Sequence, residues 1–265
     1  MHRRLGFRLA PQRSGFRLAP QRSGFMLAPQ RSGLILAVVV ASAASMVGCT
    51  PPKPTYVFKA SPLAAEHALA LTGDEIMGRG RPPEQWVEVA SGRPVTERFP
   101  DVGAMDVDGI GDEVKRYIRD EDGRWFLESV DAIGDRSRSE FGPALGMAPA
   151  RLAPGEMMTA EAQMRVTYLK DGTPRTQGPA RRTLEHGGAM IAELPTGPTV
   201  VQLVKVRFDS AMTSAQATHV AELYILPGFG PVAERTSDLV RVFGLRLRES
   251  NYEFVRDIEG TAIRR

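Results

Sequence analysis

The stretch AQMRVTYLKDG, residues 162–172, decides the fold class. Ala162, Met164, Val166 and Tyr168 alternate with Gln163, Arg165 and Thr167. A period of two puts the apolar set on one side of a strand and the polar set on the other, so one face is buried and the other wet. Asp171-Gly172 follows, a pair that accepts positive φ and therefore favours a tight hairpin. The same alternation returns in Val204, Val206 and Phe208 against Lys205, Arg207 and Asp209, and Asp122-Gly123 separates two further apolar runs.

Strands are accordingly expected over Trp86–Ala90, Val114–Arg119, Arg124–Val130, Ala162–Leu169, Met190–Leu194, Val200–Phe208, Thr218–Leu226 and Leu239–Arg248. Ser61 followed by Pro62 and LAAEHALAL reads as a capped helix over Ser61–Thr72, ended by Gly73. The expected class is mainly β (α+β): a curved, mostly antiparallel sheet with one or two short helices, within residues 61–260 and after a disordered leader. Between Phe141 and Met158 lie three prolines and three glycines, which should interrupt regular structure. That stretch either divides the domain into two halves or carries the chain across the end of the sheet.

The first 49 residues hold seven arginines and no Asp or Glu. Setting them aside leaves 27 basic against 31 acidic residues, so the remainder carries about −4 and the alkaline character belongs to the leader. Its charges are interspersed, and no basic stripe converges on one face as phosphate neutralisation needs, so no nucleic-acid partner is expected. The 216 residues after Cys49 suffice for a sizeable core. Cys49 is the single cysteine, so no disulfide forms within the chain.

Within the leader (residues 1–48), residues 6–32 are three copies of a nine-residue unit beginning at Gly6, Gly15 and Gly24, with Met26 replacing Arg in the third. Each copy has one proline and little apolar surface, so the segment is expected to be unstructured. Residues 26–48 then have the layout of a signal peptide: Arg31, an apolar run from Leu34 to Ala44, and small residues before Cys49. The run is short for a bilayer span. Met46, Val47, Gly48 and Cys49 resemble the bacterial lipobox, with Met in place of the preferred Leu. The resemblance implies a lipid attachment site at Cys49, membrane association through that lipid, and a periplasm-facing location in the cell envelope. Asp directly after the cysteine retains such lipoproteins in the inner membrane; Thr50 lacks that signal, which implies the outer membrane in a two-membrane host. Residues 49–60, with Pro51, Pro52 and Pro54, read as a stiff anchored linker.

A second resemblance rests on Pro154-Gly155-Glu156, the Asp171-Gly172 turn, Pro195-Thr196-Gly197 and Ala221–Arg235. Tyr224, Pro227, Gly228, Gly230 and Val232 look like a pattern in uncharacterised bacterial lipoproteins, where a strand ending in Trp or Tyr enters a Pro-Gly-x-Gly-x-Val turn. More distantly, the architecture is similar to the curved half-barrel of the lipoprotein-sorting (Lol) type. That likeness implies a surface cradling acyl chains and carries no function by itself.

Candidate chemistry is sparse. Asp106, Asp108, Gly111 and Asp112 invite a calcium loop, but Ile110 and Tyr117 fall where the fifth and twelfth places need oxygen ligands, so a solvated acidic turn is expected. His67, His186 and His219 show no metal-ligand spacing and are expected to be ordinary polar positions. No Gly-x-Ser-x-Gly elbow, phosphate loop or dinucleotide fingerprint occurs. Trp86 and Trp125, with Phe126 and Leu127, are read as core. No catalytic, cofactor-binding or metal residue is assigned. The function expected is that of a non-enzymatic envelope lipoprotein binding an apolar ligand or an envelope partner; an anchored hydrolase or a structural assembly factor are the alternatives.

Mass spectrometry of the mature N-terminus tests the anchor. Deletion of residues 1–25 should leave an acylated Cys49, because the signal elements begin at Met26, whereas Cys49→Ser should yield unprocessed precursor, since serine cannot form the thioether. An unmodified Cys49 still joined to its leader would refute the reading.

Overall fold

The computed structural model describes residues 57–78, 84–92, 94–101, 104–108, 113–213 and 215–256; the leader, Cys49 and most of the linker lie outside the described residues. The strands are β1 (Lys59–Pro62), β2 (Leu71–Thr72), β3 (Glu84–Glu88), β4 (Pro94–Asp101), β5 (Ala104–Asp108), β6 (Glu113–Arg119), β7 (Trp125–Ala132) and β8 (Ser137–Ala148). They continue with β9 (Arg151–Leu152), β10 (Met157–Tyr168), β11 (Pro174–Leu194), β12 (Gly197–Ala211), β13 (Ala215–Leu226), β14 (Gly230–Val242) and β15 (Leu245–Arg256). One helix, α1 (Gly73–Met77), and a 3₁₀ turn at Ala65–His67 complete the described elements. The fold is mainly β with one large antiparallel sheet, as the alternation predicts.

Neighbours in that sheet run β11-β10-β8-β7-β6-β5-β4-β3-β15-β14-β13-β12, and β12 pairs again with β11, so the pairings return to the strand where they began. Such a circuit leaves few open edges to template aggregation. Among the described residues the joint between β15 and β3 is a short seam of three residue pairs, Phe254–Glu88 to Arg256–Trp86, and it completes the rolled sheet.

Residues opposite one another in antiparallel strands share a face. Leu184, Val206 and Ala221 lie in one such row and belong to the inner core with Trp125, Leu145, Leu71 and Ile76. Leu203 and Tyr224 lie on the opposite face, in a second cluster with Phe58, Val201, Ala233 and Val255. A bulge between His186 and Gly188 lets β11 serve both faces. Before it, Leu184 and His186 face the inner core; after it, Met190, Ala192 and Leu194 join the outer cluster.

Three expectations need correction. The helix over Ser61–Thr72 is absent: β1 pairs with β11 from Lys59–Glu193 to Pro62–Met190, and the chain then runs as a strap over the sheet. Beyond the local bonds of its 3₁₀ turn, its polar backbone is taken up from outside the segment. The amide of Leu63 donates to the Ala189 carbonyl (2.9 Å) and that of Leu69 to Gln202 Oε1 (3.1 Å). Gln202 Nε2 donates to the His67 carbonyl (3.2 Å). Tertiary partners thus override the local propensity of the Ala- and Leu-rich run. Gly73, expected to end a helix, begins α1. Thr72 and Glu75 form a reciprocal capping box there, and Gly78 ends the helix with φ 66°. A Cβ on Gly73 would sit 2.6 Å from the Pro149 carbonyl oxygen, so only glycine fits that close approach.

The proline- and glycine-bearing stretch from Phe141 is also more regular than expected, since Phe141–Ala148 continues β8. Pairing between β8 and β10 ends at Gly142–Gln163, while β8 goes on pairing with β7 through Leu145–Leu127 and Ala148–Trp125. Pro143 begins the part with a free side, where a missing N–H costs no ladder bond. Finally, Leu239–Arg248 is not one strand but the end of β14, a two-residue turn at Phe243 and Gly244, and the start of β15.

Gln202 is fully buried and holds the strap at two main-chain groups. Gln202→Leu should lower unfolding free energy by about 1–3 kcal/mol, because it removes the partners of the part-buried Leu69 amide and His67 carbonyl. Urea unfolding at unchanged midpoint would show that the strap is not fixed this way.

Candidate functional site

The inner face of the roll changes character along its rows. Toward the strap it is largely apolar, with His186, Gln202 and Glu234 among its polar members; one row further along, Ala160, Arg182, Phe208, His219, Asp238 and Ser250 stand opposite one another across β10 to β15. Arg182 is the unusual member, with 5% of its surface exposed. Its neighbours on β10 and β11, Ala160, Ala162 and Ala180, are small and leave room for a long side chain. The guanidinium reaches β8 beyond its last pair with β10, and Nη1 donates to the carbonyl of Met147, at the irregularity between the Gly146 and Ala148 pairs with β7. No carboxylate faces Arg182 among the described residues. Burial pushes its pKa down to about 10, with Tyr117 acting in the opposite sense, so the group remains cationic at neutral pH. A buried charge satisfied by a single carbonyl is costly.

Further along the row, His219 Nδ1 and Asp238 Oδ1 are 2.7 Å apart, both side chains being about one-third exposed. Asp238 fixes the ring orientation. Ser250 lies opposite Asp238 on β15 and is therefore separated from His219 by a strand. His186 serves the fold instead: Nε2 contacts the Leu69 carbonyl (2.8 Å) while Nδ1 accepts from the Gly188 amide (3.0 Å). Accepting at Nδ1 places the proton of the neutral ring on Nε2, where it donates to the strap. His67 sits on the exposed 3₁₀ turn, so the three histidines do not converge. Nothing in the spacing of the sequence marks Arg182; its inward parity between Ala180 and Leu184 in β11 was the available signal.

On the outer face, Asp131 is 5% exposed between two arginines on neighbouring strands. Arg138 grips it with Nε at 2.6 Å and Nη2 at 2.9 Å, and Arg116 Nη1 adds a contact at 2.9 Å. A shallow cavity of about 230 Å³ is bordered by Pro179, Arg181, Asp209, Gln216 and Thr218. Asp209 there already accepts from Arg207 (2.6 and 2.9 Å) and from the Thr218 hydroxyl (2.8 Å), so its charge is spent within the sheet.

Trp86 and Trp125 are buried, and Trp125 Nε1 donates to Asp74 Oδ1 at 2.9 Å, so the expected core role holds. Asp106 and Asp108 belong to β5, but their side chains, with Gly111 and Asp112, lie outside the described residues, as does Cys49. Among the described residues no cluster of three metal-ligating side chains occurs. No family model, curated protein or solved structure matches the chain.

Arg138 first, and Arg116 after it, hold the Asp131 carboxyl below the usual carboxylate range. The stabilisation is therefore complete above the unfolded-state value near pH 4 and is lost as pH falls through the lower folded-state value. Asp131→Asn should cost about 1–3 kcal/mol at pH 7 and flatten the acid limb of the stability–pH curve. Parallel curves for parent and variant would show that the pair of arginines does not tune this group.

Proposed function

We propose that the chain is a lipid-anchored lipoprotein of the cell envelope, facing the periplasm, whose rolled sheet binds an apolar ligand carrying an anionic end. The anchor and location rest on the signal-peptide layout and on Cys49. The observation that carries the ligand class is Arg182, a guanidinium buried in the inner wall without a facing carboxylate among the described residues. A ligand carboxylate or phosphate supplies the counter-charge in a low-dielectric setting, where a charge-assisted bond is strong. On the same face, Leu223, Val240, Tyr252 and Phe254 on β13 to β15 are only half-buried and offer apolar surface to a chain, with Glu234 between Leu223 and Phe254. The activity is binding rather than turnover. The His219–Asp238 pair is what an anchored hydrolase would build upon, and it is the reason that reading is carried into the test.

Native mass spectrometry of the purified protein is expected to show a co-purified acidic amphiphile. Arg182→Met should bind a fluorescent fatty acid at least tenfold more weakly, a loss of about 1.4 kcal/mol, while folding about as stably as the parent. The Met147 carbonyl loses its donor at about 1–3 kcal/mol, and removal of a buried charge offsets that. Equal binding by parent and variant would overturn the proposal, as would hydrolysis of an ester probe that disappears in His219→Ala.

A further inference from the structure

The turn between β14 and β15 consists of Phe243 and Gly244, both at positive φ (49° and 78°). This is the geometry of the tightest hairpins, where Asn or Gly is favoured at the first place, and a bulky side chain seldom adopts it. Phe243 nevertheless occupies it with 83% of its surface exposed, and Leu245 (76%) and Leu247 (72%) follow. They are the three most exposed large apolar side chains among the described residues. Leu247 is the extra residue of a bulge, since Val240 pairs with Arg248 and Arg241 with Arg246. Neither the turn nor the ladder requires apolar groups here. Strain held at a bulky residue with no packing of its own points to a use outside the fold.

Charge identifies the surface it meets. Arg241, Arg246 and Arg248 flank the three apolar side chains, and Glu249, which pairs with Arg246, is the single acid of this stretch. An apolar point ringed by arginines suits an anionic bilayer, with the apolar groups at the acyl boundary and the guanidinium groups level with the phosphates. A convex tip of three side chains buries far less than the ~800 Å² per partner of a stable protein interface. Lipid, by contrast, surrounds it on every side. We propose that the β14–β15 hairpin tip inserts into an anionic lipid surface. The tip lies at the opposite end of β14 from Ala233, which belongs to the outer cluster with Phe58, so about ten strand residues or ~33 Å separate the two.

The test places a tryptophan reporter in the full chain, at the tip in Phe243→Trp and at the polar β6–β7 turn in Asp122→Trp. Each variant is reconstituted in vesicles of phosphatidylcholine with phosphatidylglycerol. The Phe243→Trp signal should shift to the blue and be quenched by brominated acyl chains, less so at high salt, while that of Asp122→Trp should do neither. Adding Leu245→Asp and Leu247→Asp to Phe243→Trp should return the buffer spectrum with the circular dichroism unchanged. A Phe243→Trp signal untouched by brominated lipid overturns the proposal, and so does a blue shift that depends on protein concentration in the absence of vesicles.

Discussion

The grip of Gln202 and His186 on the strap is the constraint from which the rest of the molecule follows. Three hydrogen bonds fix the backbone between His67 and Leu69 above the inner face. The residues on either side then have determined destinations. Upstream, Phe58 reaches the outer cluster, packs edge-on to Tyr224 at 4.7 Å, and passes its carbonyl to Arg235 at 2.8 Å. Downstream, Leu71 and Ile76 enter the inner core, and α1 is clipped by Asp74 to Arg119 and Trp125 and by Glu75 to the Gly228 amide. One short segment thereby covers apolar surface on both faces of the sheet. A rolled sheet with one short seam gains from this, because the strap ties β11 and β12 to β14 and to the β6–β7 end independently of the three pairs at β15 and β3.

The outer face shows how the same strands remain soluble beyond the strap. Glu185, Lys205, Glu222, Arg235 and Glu253 stand opposite one another on five consecutive strands, alternating in sign. Alternating charges across a ladder support register, since a slip would bring like charges together or move the whole set to the inner face. Arg235 is the hub: it bonds Glu253 at 2.7 Å, the Tyr224 hydroxyl at 3.2 Å and the Phe58 carbonyl. Burial and the Glu222 bond push the Tyr224 hydroxyl up to about 12, so it stays a donor to Glu222 at any physiological pH. Arg182, by contrast, has one carbonyl where Arg235 has several partners.

How much of this was legible follows from which forces are local. Alternation gave β10 and β12 because period and burial agree along those strands, and Gly172 and Gly123 take the positive φ that the turns require. The strap was misread because Ser61–Thr72 has helix composition while its hydrogen bonds come from Ala189, Gln202 and His186, far along the chain. Even so, Thr72 and Glu75 carried the capping signature of the true helix. The β14–β15 turn was missed because Phe243 stands where a turn residue would be sought. The site was the least legible part. Arg182 looks like any polar residue in an alternating strand until the bulge at His186 and the parting of β8 from β10 show that its side of β11 is the inside.

These failures share a direction that bears on function. A sequence reading assumes that each residue serves local structure, and it fails where a residue is placed against local preference. Phe243 and Arg182 are two such placements, at different parts of the roll. One is an apolar group in water at a strained turn; the other is a charge withdrawn from water without a carboxylate. Each is unfavourable within the isolated fold and becomes favourable with the complementary phase: acyl chains around the first, an anionic group beside the second. An anionic amphiphile combines both properties in one molecule, and a membrane presents them as a surface. The two exceptions thus point to a single chemical setting without either depending on the other. The strap shows the opposite case: His186 and Gln202 answer both the amide and the carbonyl of Leu69 from within the fold.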